Sequence, residues 1–116
     1  MEKKGFLRRP IVPPECTHNA HMYYVLLSSK IDRQMVLDEF SGNEISAVFH
    51  YVPLHSSPGG RRYGRTFGNL SVTNSVAERL IRLPLWIGLT EAQQERVVAV
   101  LTRAVNQPKV GGIHSI

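Results

Sequence analysis

The segment at positions 21–28 constrains the fold of this chain more than any other part of its sequence. All residues from Tyr23 to Leu27 are aromatic or aliphatic, so polar and apolar residues do not alternate along the segment. Because successive side chains of a strand point to opposite faces, this run predicts a strand over 21–28 that is covered on both faces. A second β-rich segment, at 46–52, ends at Pro53 and predicts another strand.

A capped amphipathic segment follows the first predicted strand. Asp32 is typical of a helix N-cap, and Ile31 and Val36 on either side of it have the spacing of a hydrophobic staple. The pattern predicts a helix over 32–41, with Gly42 as a left-handed C-terminal stop. The order at this point is strand, helix, strand.

Two further helices are predicted in the second half of the chain. Thr73 is the expected cap of a helix over 73–83, and Thr90 opens a capping box with Gln93 for a helix over 90–106. The apolar stripe expected for the last helix is Val97, Val98, Leu101, Ala104 and Val105. The predicted fold class is therefore α+β, an α/β sandwich in which about three helices pack on a small antiparallel or mixed sheet.

The length of 116 residues suits one domain with one modest core. Residues 1–18 contain several prolines without periodicity and are expected to form an extended lead-in. The domain is expected over 19–107, with a long loop at 53–71 that is rich in glycine, proline and arginine. Residues 108–116 are expected to be a flexible tail.

The formal net charge of +5 is concentrated in two places, the N-terminal arm and the loop that carries Arg61, Arg62 and Arg65. Because the excess forms no long basic face, nucleic-acid binding is disfavoured. Two interpretations remain: the basic residues only contact solvent, or the loop arginines contact a phosphate group. One function class compatible with this pattern is a standalone small basic domain that binds an anionic ligand, either a nucleotide or nucleic acid. The salt dependence of the binding constant would distinguish the two, because it becomes steeper with the number of phosphates contacted.

Cysteine content and hydropathy indicate a cytoplasmic protein. The single cysteine, Cys16, has no partner for an internal disulfide and fits a reducing compartment. No apolar run approaches the roughly 20 residues of a membrane helix, and the basic N-terminus lacks the apolar core of a secretory signal. No membrane association is therefore expected.

No complete active site is visible in the sequence. Cys16, His18 and His21 lack the spacing of a zinc site, as do His50 and His55. The sequence also lacks the nucleophile elbow, the dinucleotide fingerprint and the P-loop. The residues therefore predict neither a catalytic group nor a metal site.

Three segments in order give the chain a family resemblance: CTHNAHMYYVLL at 16–27, AVFHYVPLH at 47–55 and VAERLIRLPLWIGL at 76–89. Together they resemble the C-terminal part of the DegT/DnrJ/EryC1/StrS sugar aminotransferases, which use pyridoxal phosphate. The resemblance covers about residues 10–106 and implies the C-terminal small domain of a fold-type-I enzyme. It further implies an N-terminal large domain that supplies the Schiff-base lysine, so that this chain alone binds no cofactor and has no activity.

Within the family, the same segments and SPGGRRYG at 57–64 look most similar to members that act on TDP-4-oxo-6-deoxyglucose. The resemblance implies glutamate as amino donor, a homodimeric parent enzyme and a role in lipopolysaccharide or enterobacterial common antigen synthesis. The substrate-binding candidates are His50, Tyr51, His55, Arg61 and Arg62. For His50 and Tyr51 the alternative is a purely structural place in the seam between the small and large domains.

Overall fold

A computed structural model describes residues 1–107 of the chain. Within this part, the strands are β1 (Leu7–Arg8), β2 (Tyr23–Leu27), β3 (Val48–Phe49) and β4 (Leu80–Leu83). The α-helices are α1 (Arg33–Gly42), α2 (Pro58–Tyr63), α3 (Ser71–Arg79) and α4 (Glu91–Asn106). Short 3-10 turns span Glu2–Lys4 and Leu54–Ser56. The predicted flexible tail at 108–116 lies outside the described residues.

The strands form one antiparallel sheet with the order β1-β2-β4-β3. Leu7 lies opposite Leu27, and Ile81 lies opposite Val25 on one side and Phe49 on the other. This arrangement places β2 and β4 in the centre, where both backbone edges are paired. The α+β prediction is confirmed, with the antiparallel form of the sheet.

The core lies where α1 and α4 pack on each other and on the centre of the sheet. Its largest fully buried side chains are Leu27, Val36, Phe40 and Ile81. Asp32 caps α1 as predicted, since its side chain accepts a hydrogen bond from the Gln34 amide. The capping box that opens α4 at Thr90 is also present.

The largest difference from the sequence prediction concerns residues 73–83. The helix begins at Ser71, after Leu70 in the left-handed region (φ 45°), rather than at Thr73, and it ends at Arg79. Residues 80–83 form the central strand β4. The apolar side chains of residues 80–83 would also fit the apolar stripe of a helix. The strand forms instead because β2 and β3 pair with the backbone of β4 on both sides and satisfy its hydrogen bonds.

The N-terminal residues also differ from the expected extended lead-in. Leu7–Arg8 forms the edge strand β1, and the Ser28 amide donates a 2.8 Å hydrogen bond to the Phe6 carbonyl. Leu7 is buried in the core. Apolar contact with the sheet therefore attaches residues 6–8 to the domain, whereas residues 9–18 form no helix or strand.

The predicted loop at 53–71 contains a 3-10 turn and the short helix α2. Ser57 caps α2 by accepting from the Gly60 amide at 3.0 Å, and Pro58 occupies the first turn, where its missing amide hydrogen is tolerated. A Cβ atom at Gly60 would overlap the Leu54 carbonyl, so glycine permits the close approach of the two turns. The preceding strand is correspondingly short, Val48–Phe49 rather than 46–52.

Two smaller predictions are wrong in detail. The left-handed residue after α1 is Glu44 (φ 57°), two positions beyond the expected stop at Gly42. In α4 the buried stripe includes Val100, whereas Val98 is 50% exposed. In residues 1–107, no helix is long and apolar enough to cross a membrane.

Candidate functional site

Two grooves flank the 3-10 turn Leu54–Ser56. The first, here called the Tyr51 groove, has a volume of about 270 Å³, and its lining includes Arg33, Phe49, Tyr51, Ser56 and Asn74. The second, here called the Arg65 groove, has a volume of about 480 Å³, and its lining includes Leu54, His55, Tyr63, Arg65 and Thr73. The turn and the first half of α3 contribute residues to both grooves.

Tyr51 and His50 occupy the beginning of the connection from β3 to this turn. Tyr51 is 76% exposed, and its ring meets the His50 ring edge-on with 4.9 Å between centroids. Nδ1 of His50 is fully buried and has no hydrogen-bond partner within residues 1–107. A buried polar atom without a partner is costly, so this nitrogen marks a local cost to stability in the described part of the chain.

His55 has an internal structural contact. Its Nε2 lies 2.8 Å from Oδ1 of Asn74 in α3. Since an amide oxygen only accepts, Nε2 donates in this bond, and Nδ1 remains for other contacts. The bond fixes the 3-10 turn on α3 and lies between the two grooves, because Asn74 lines the Tyr51 groove and His55 lines the Arg65 groove.

The three loop arginines have different positions. Arg65 lines the Arg65 groove, whereas Arg61 and Arg62 are exposed residues of α2 outside the linings of both grooves. The Arg62 guanidinium lies 5.2 Å from the centroid of the Tyr63 ring, in cation–π geometry. The structure therefore brings His55 together with Arg65, and places Tyr51 in the neighbouring groove.

Sequence reasoning missed Arg33, Tyr63 and Asn74. The Arg33 guanidinium donates to the Ala77 carbonyl and lies 5.4 Å from the Phe49 ring centroid in one wall of the Tyr51 groove. Nothing local signals this role, because both of its partners are distant in sequence. Tyr63 did carry a signal, since an aromatic residue between arginines is typical of stacking on a ligand.

The electrostatics of this region favour anions. Between Glu44 and Glu78 the sequence contains no acidic residue, while it contains Arg61, Arg62 and Arg65. Glu78 reaches the lining of the Tyr51 groove but not that of the Arg65 groove. Arginines therefore border the Arg65 groove, and the sequence between Glu44 and Glu78 contributes no carboxylate near it.

The described residues do not fit pyridoxal phosphate. Lys3, Lys4 and Lys30 are all exposed, whereas a Schiff-base lysine needs a desolvated pocket beside the cofactor. Lys109 lies outside residues 1–107. In the described part of the chain, no group of three or more His, Cys, Asp or Glu side chains is arranged to hold a metal ion.

A model of the DegT/DnrJ/EryC1/StrS aminotransferase family matches residues 3–102. An uncharacterized protein of Methanocaldococcus jannaschii is 28% identical over 102 residues, which is 84% of this chain and 26% of that protein. The chain thus spans about a quarter of the length of this relative.

Solved structures that superpose on this chain include aminotransferases. A DegT DnrJ EryC1 StrS aminotransferase from Brucella abortus superposes with a TM-score of 0.75 at 23% identity, covering 90% of this chain and 27% of that one. The aminotransferase TlmJ from Streptoalloteichus hindustanus gives 0.74 at 25% identity, covering 86% and 26%. DesV of S. venezuelae, solved with a ketimine intermediate, gives 0.76 at 22% identity, covering 88% and 27%. In each case the shared fold is one part of a longer chain.

Proposed function

The chain belongs to the DegT/DnrJ/EryC1/StrS aminotransferase family, and from this premise we propose that it is the C-terminal small domain of a sugar aminotransferase. The complete enzyme transfers an amino group from glutamate to C4 of TDP-4-oxo-6-deoxyglucose. The product serves lipopolysaccharide or enterobacterial common antigen-type polysaccharide synthesis in the cytoplasm. The small domain alone is inactive.

The observation that carries this proposal is the family match over residues 3–102 combined with the share of the relatives that it covers. The chain spans about a quarter of each relative, so a large domain accounts for the rest. That domain holds pyridoxal phosphate, which supplies the electron sink of the reaction. It also supplies the lysine that this chain lacks among its described buried residues.

The small domain has a surface suited to such a partner. Apolar side chains are exposed in succession from β3 to the 3-10 turn, namely Val48, Phe49, Tyr51, Val52 and Leu54. Clustered exposed apolar residues are typical of interaction surfaces. We therefore place the large domain against Val48, Phe49 and Val52, with Tyr51 at the edge of this contact, in a parent enzyme that is a homodimer.

Within the cleft so formed, Tyr51 and His50 face the sugar. The exposed Tyr51 phenol donates to a sugar hydroxyl or to a diphosphate oxygen. His50 contributes the accessible part of its ring, which also packs edge-on against Tyr51, rather than its buried Nδ1. His55 is a positioning residue, since its Nε2 is engaged with Asn74. The exposed guanidinium groups of Arg61 and Arg62 bind the diphosphate.

The test compares the chain alone with the chain joined to a large domain. Residues 1–116 are incubated with pyridoxal phosphate, glutamate and TDP-4-oxo-6-deoxyglucose, and imine absorbance and amino-sugar formation are followed. We expect neither from the chain alone, and amino transfer after fusion to a lysine-bearing large domain of the family. In the fusion, His50→Ala and Tyr51→Phe lower sugar turnover more than cofactor binding.

The matched control for His50→Ala is His18→Ala, because His18 is an exposed histidine of the N-terminal segment whose ring accepts a local hydrogen bond from the Ala20 amide. A stoichiometric, borohydride-trappable adduct at one lysine of the chain alone, with turnover, contradicts the small-domain proposal. Unchanged turnover in the His50→Ala and Tyr51→Phe fusions contradicts the assignment of these two residues to the substrate.

A further inference from the structure

We propose that the chain binds a second copy of itself through an apolar patch around Trp86, in a symmetric contact that inserts Ile87 of each copy into a groove of the other. The patch, here called the Trp86 patch, consists of the exposed apolar side chains of Tyr23, Leu85, Trp86, Ile87 and Val98. It contains none of the residues assigned to the large domain, so the inference does not depend on the proposed function.

The Trp86 patch contains a groove with a volume of about 460 Å³. One wall is the end of the sheet, where Tyr23 pairs with Leu83, and a second wall is the first half of α4, with Val97 and Val98. Residues 84–89 contribute the rest of the lining. Among the described residues, no charged side chain lines this groove. An apolar side chain can therefore enter it without burying a charge.

Ile87 lies at the tip of the turn beside this groove. Gly88 has a φ of 91°, and the Leu89 amide donates to the Trp86 carbonyl at 3.3 Å, which is the pattern of a type II turn with Ile87 at its second position. The Ile87 side chain is fully exposed, and that of Trp86 is about half exposed. One exposed isoleucine is not informative by itself, but a cluster of exposed apolar side chains around a groove is typical of an interaction surface.

The position of Ile87 beside the groove favours a second copy as the partner. In a contact with two-fold symmetry the same patch serves both copies, so that residue i meets residue j and residue j meets residue i. A single rotation then places each Ile87 side chain in the groove of the other copy. The chain thus carries both complementary parts of the contact on one surface.

The accessible surface of the chain is large enough to include such a contact. It amounts to 9063 Å², whereas surface scaling gives about 6,400 Å² for a compact monomer of this size. Counting residues 108–116 as unfolded chain would explain at most about 1,300 Å² of the difference. The remainder exceeds the roughly 800 Å² that each partner contributes to a stable interface.

Sedimentation equilibrium of the 116-residue chain, from about 1 µM to about 1 mM, measures its self-association. We expect a monomer–dimer equilibrium without larger species, because a two-fold contact is closed. Trp86 is the only tryptophan of the chain, so its fluorescence reports on the patch directly. Its emission maximum should move to shorter wavelength as the dimer forms, because the indole ring leaves water.

Ile87→Glu tests the contact without disturbing the fold, since the Ile87 side chain is fully exposed. It should weaken dimer formation by at least about tenfold, because a carboxylate would enter an apolar groove. The shift of Trp86 emission should move to correspondingly higher concentrations. Val52→Glu is the matched control, because Val52 is another exposed β-branched residue outside the patch, and it should change dimer formation by less than about twofold. Circular dichroism verifies that both variants are folded.

A chain that sediments as a monomer at every concentration would overturn the proposal. A dimer that is weakened by Val52→Glu but not by Ile87→Glu would also overturn it, because the contact would then lie on the surface assigned to the large domain. Association without a shift of Trp86 emission would exclude the patch as well. None of these outcomes bears on the proposed function, which is tested separately by the amino transfer of the fusion enzyme.

Discussion

Nε2 of His55 and Oδ1 of Asn74 lie 2.8 Å apart and connect the 3-10 turn Leu54–Ser56 to α3. The two residues are 19 positions apart in sequence, and each faces a different groove. The contact therefore sets the distance between the two parts of the candidate site. It also explains why His55 carries a structural role where sequence comparison alone indicates a ligand contact.

Removing this hydrogen bond should destabilise the turn without unfolding the domain. Asn74→Ala and His55→Ala are each expected to lower the free energy of unfolding by about 1 kcal/mol, the usual net contribution of such a bond. A double-mutant cycle followed by urea denaturation should give a coupling energy of similar size. Strictly additive effects would show that the two side chains do not interact.

Two positions of α4 that are two residues apart, Val98 and Val100, test which face of that helix is buried. Val100 is 3% exposed and Val98 is 50% exposed. Val100→Ala should cost about 2 kcal/mol, because two buried carbon groups are lost and a small cavity remains. Val98→Ala should change stability by less than about 0.5 kcal/mol. Thermal denaturation of the two variants measures the difference. A larger loss of stability for Val98→Ala than for Val100→Ala would support the buried stripe predicted from sequence.

The N-terminal arm is expected to contribute to stability. Leu7 is 7% exposed and pairs with Leu27 across β1 and β2. Leu7→Ala should lower the free energy of unfolding by about 2–3 kcal/mol, at the low end for a buried leucine. Leu54→Ala is the control at a side chain that is 79% exposed, and it should have little effect. A stable, fully cooperative Leu7→Ala variant would restore the view of the arm as a linker.

The start of α4 depends on its capping box. The Gln93 amide donates to the Thr90 side chain at 3.3 Å, and the Thr90 amide donates to Oε1 of Gln93 at 2.9 Å. Thr90→Ala removes one of these and should cost about 1 kcal/mol, whereas Thr90→Ser should retain most of the stability. Chemical denaturation monitored by circular dichroism provides the measurement. Equal loss in both variants would mean that the methyl group, rather than the hydroxyl, is responsible.

The ion pair between α1 and α4 predicts that the free energy of unfolding decreases at acidic pH. Nε of Arg103 lies 2.7 Å from Oε1 of Glu39, and this hydrogen bond, followed by one from Gln107, lowers the pKa of Glu39 below its ordinary 4.5. Because the pKa is lower in the folded state, the contribution is present above the ordinary value and is lost as the pH falls through the folded value.

Glu39→Gln should therefore flatten the dependence of unfolding free energy on pH just below 4.5, where the carboxylate binds a proton in the unfolded state while the native one is still ionised. Arg103→Ala should have a similar effect, since it removes the main cause of the lowered pKa. Denaturation series at several acidic pH values measure the slope. An unchanged slope in both variants would show that other groups cause the decrease of the unfolding free energy at acidic pH.

The sequence by itself determined the covered strand at Tyr23–Leu27, the Asp32 cap and the capping box at Thr90. Each of these depends on residues within about one turn or one strand, so the physical reason is contained in the local sequence. The motifs also identified the family, because their order along the chain is visible without a structure. The segment around His50 and Tyr51 was found in the same way.

Tertiary structure decided the rest. Residues 80–83 suit a helix or a strand, and only the partners β2 and β3 on both sides fix the strand. Leu7 enters the core because it pairs with Leu27 at the edge of β2. Arg65 lines a groove just beyond the end of α2, whereas Arg61 and Arg62 are exposed on that helix. These outcomes depend on contacts between residues far apart in sequence, whose free energy no local pattern contains.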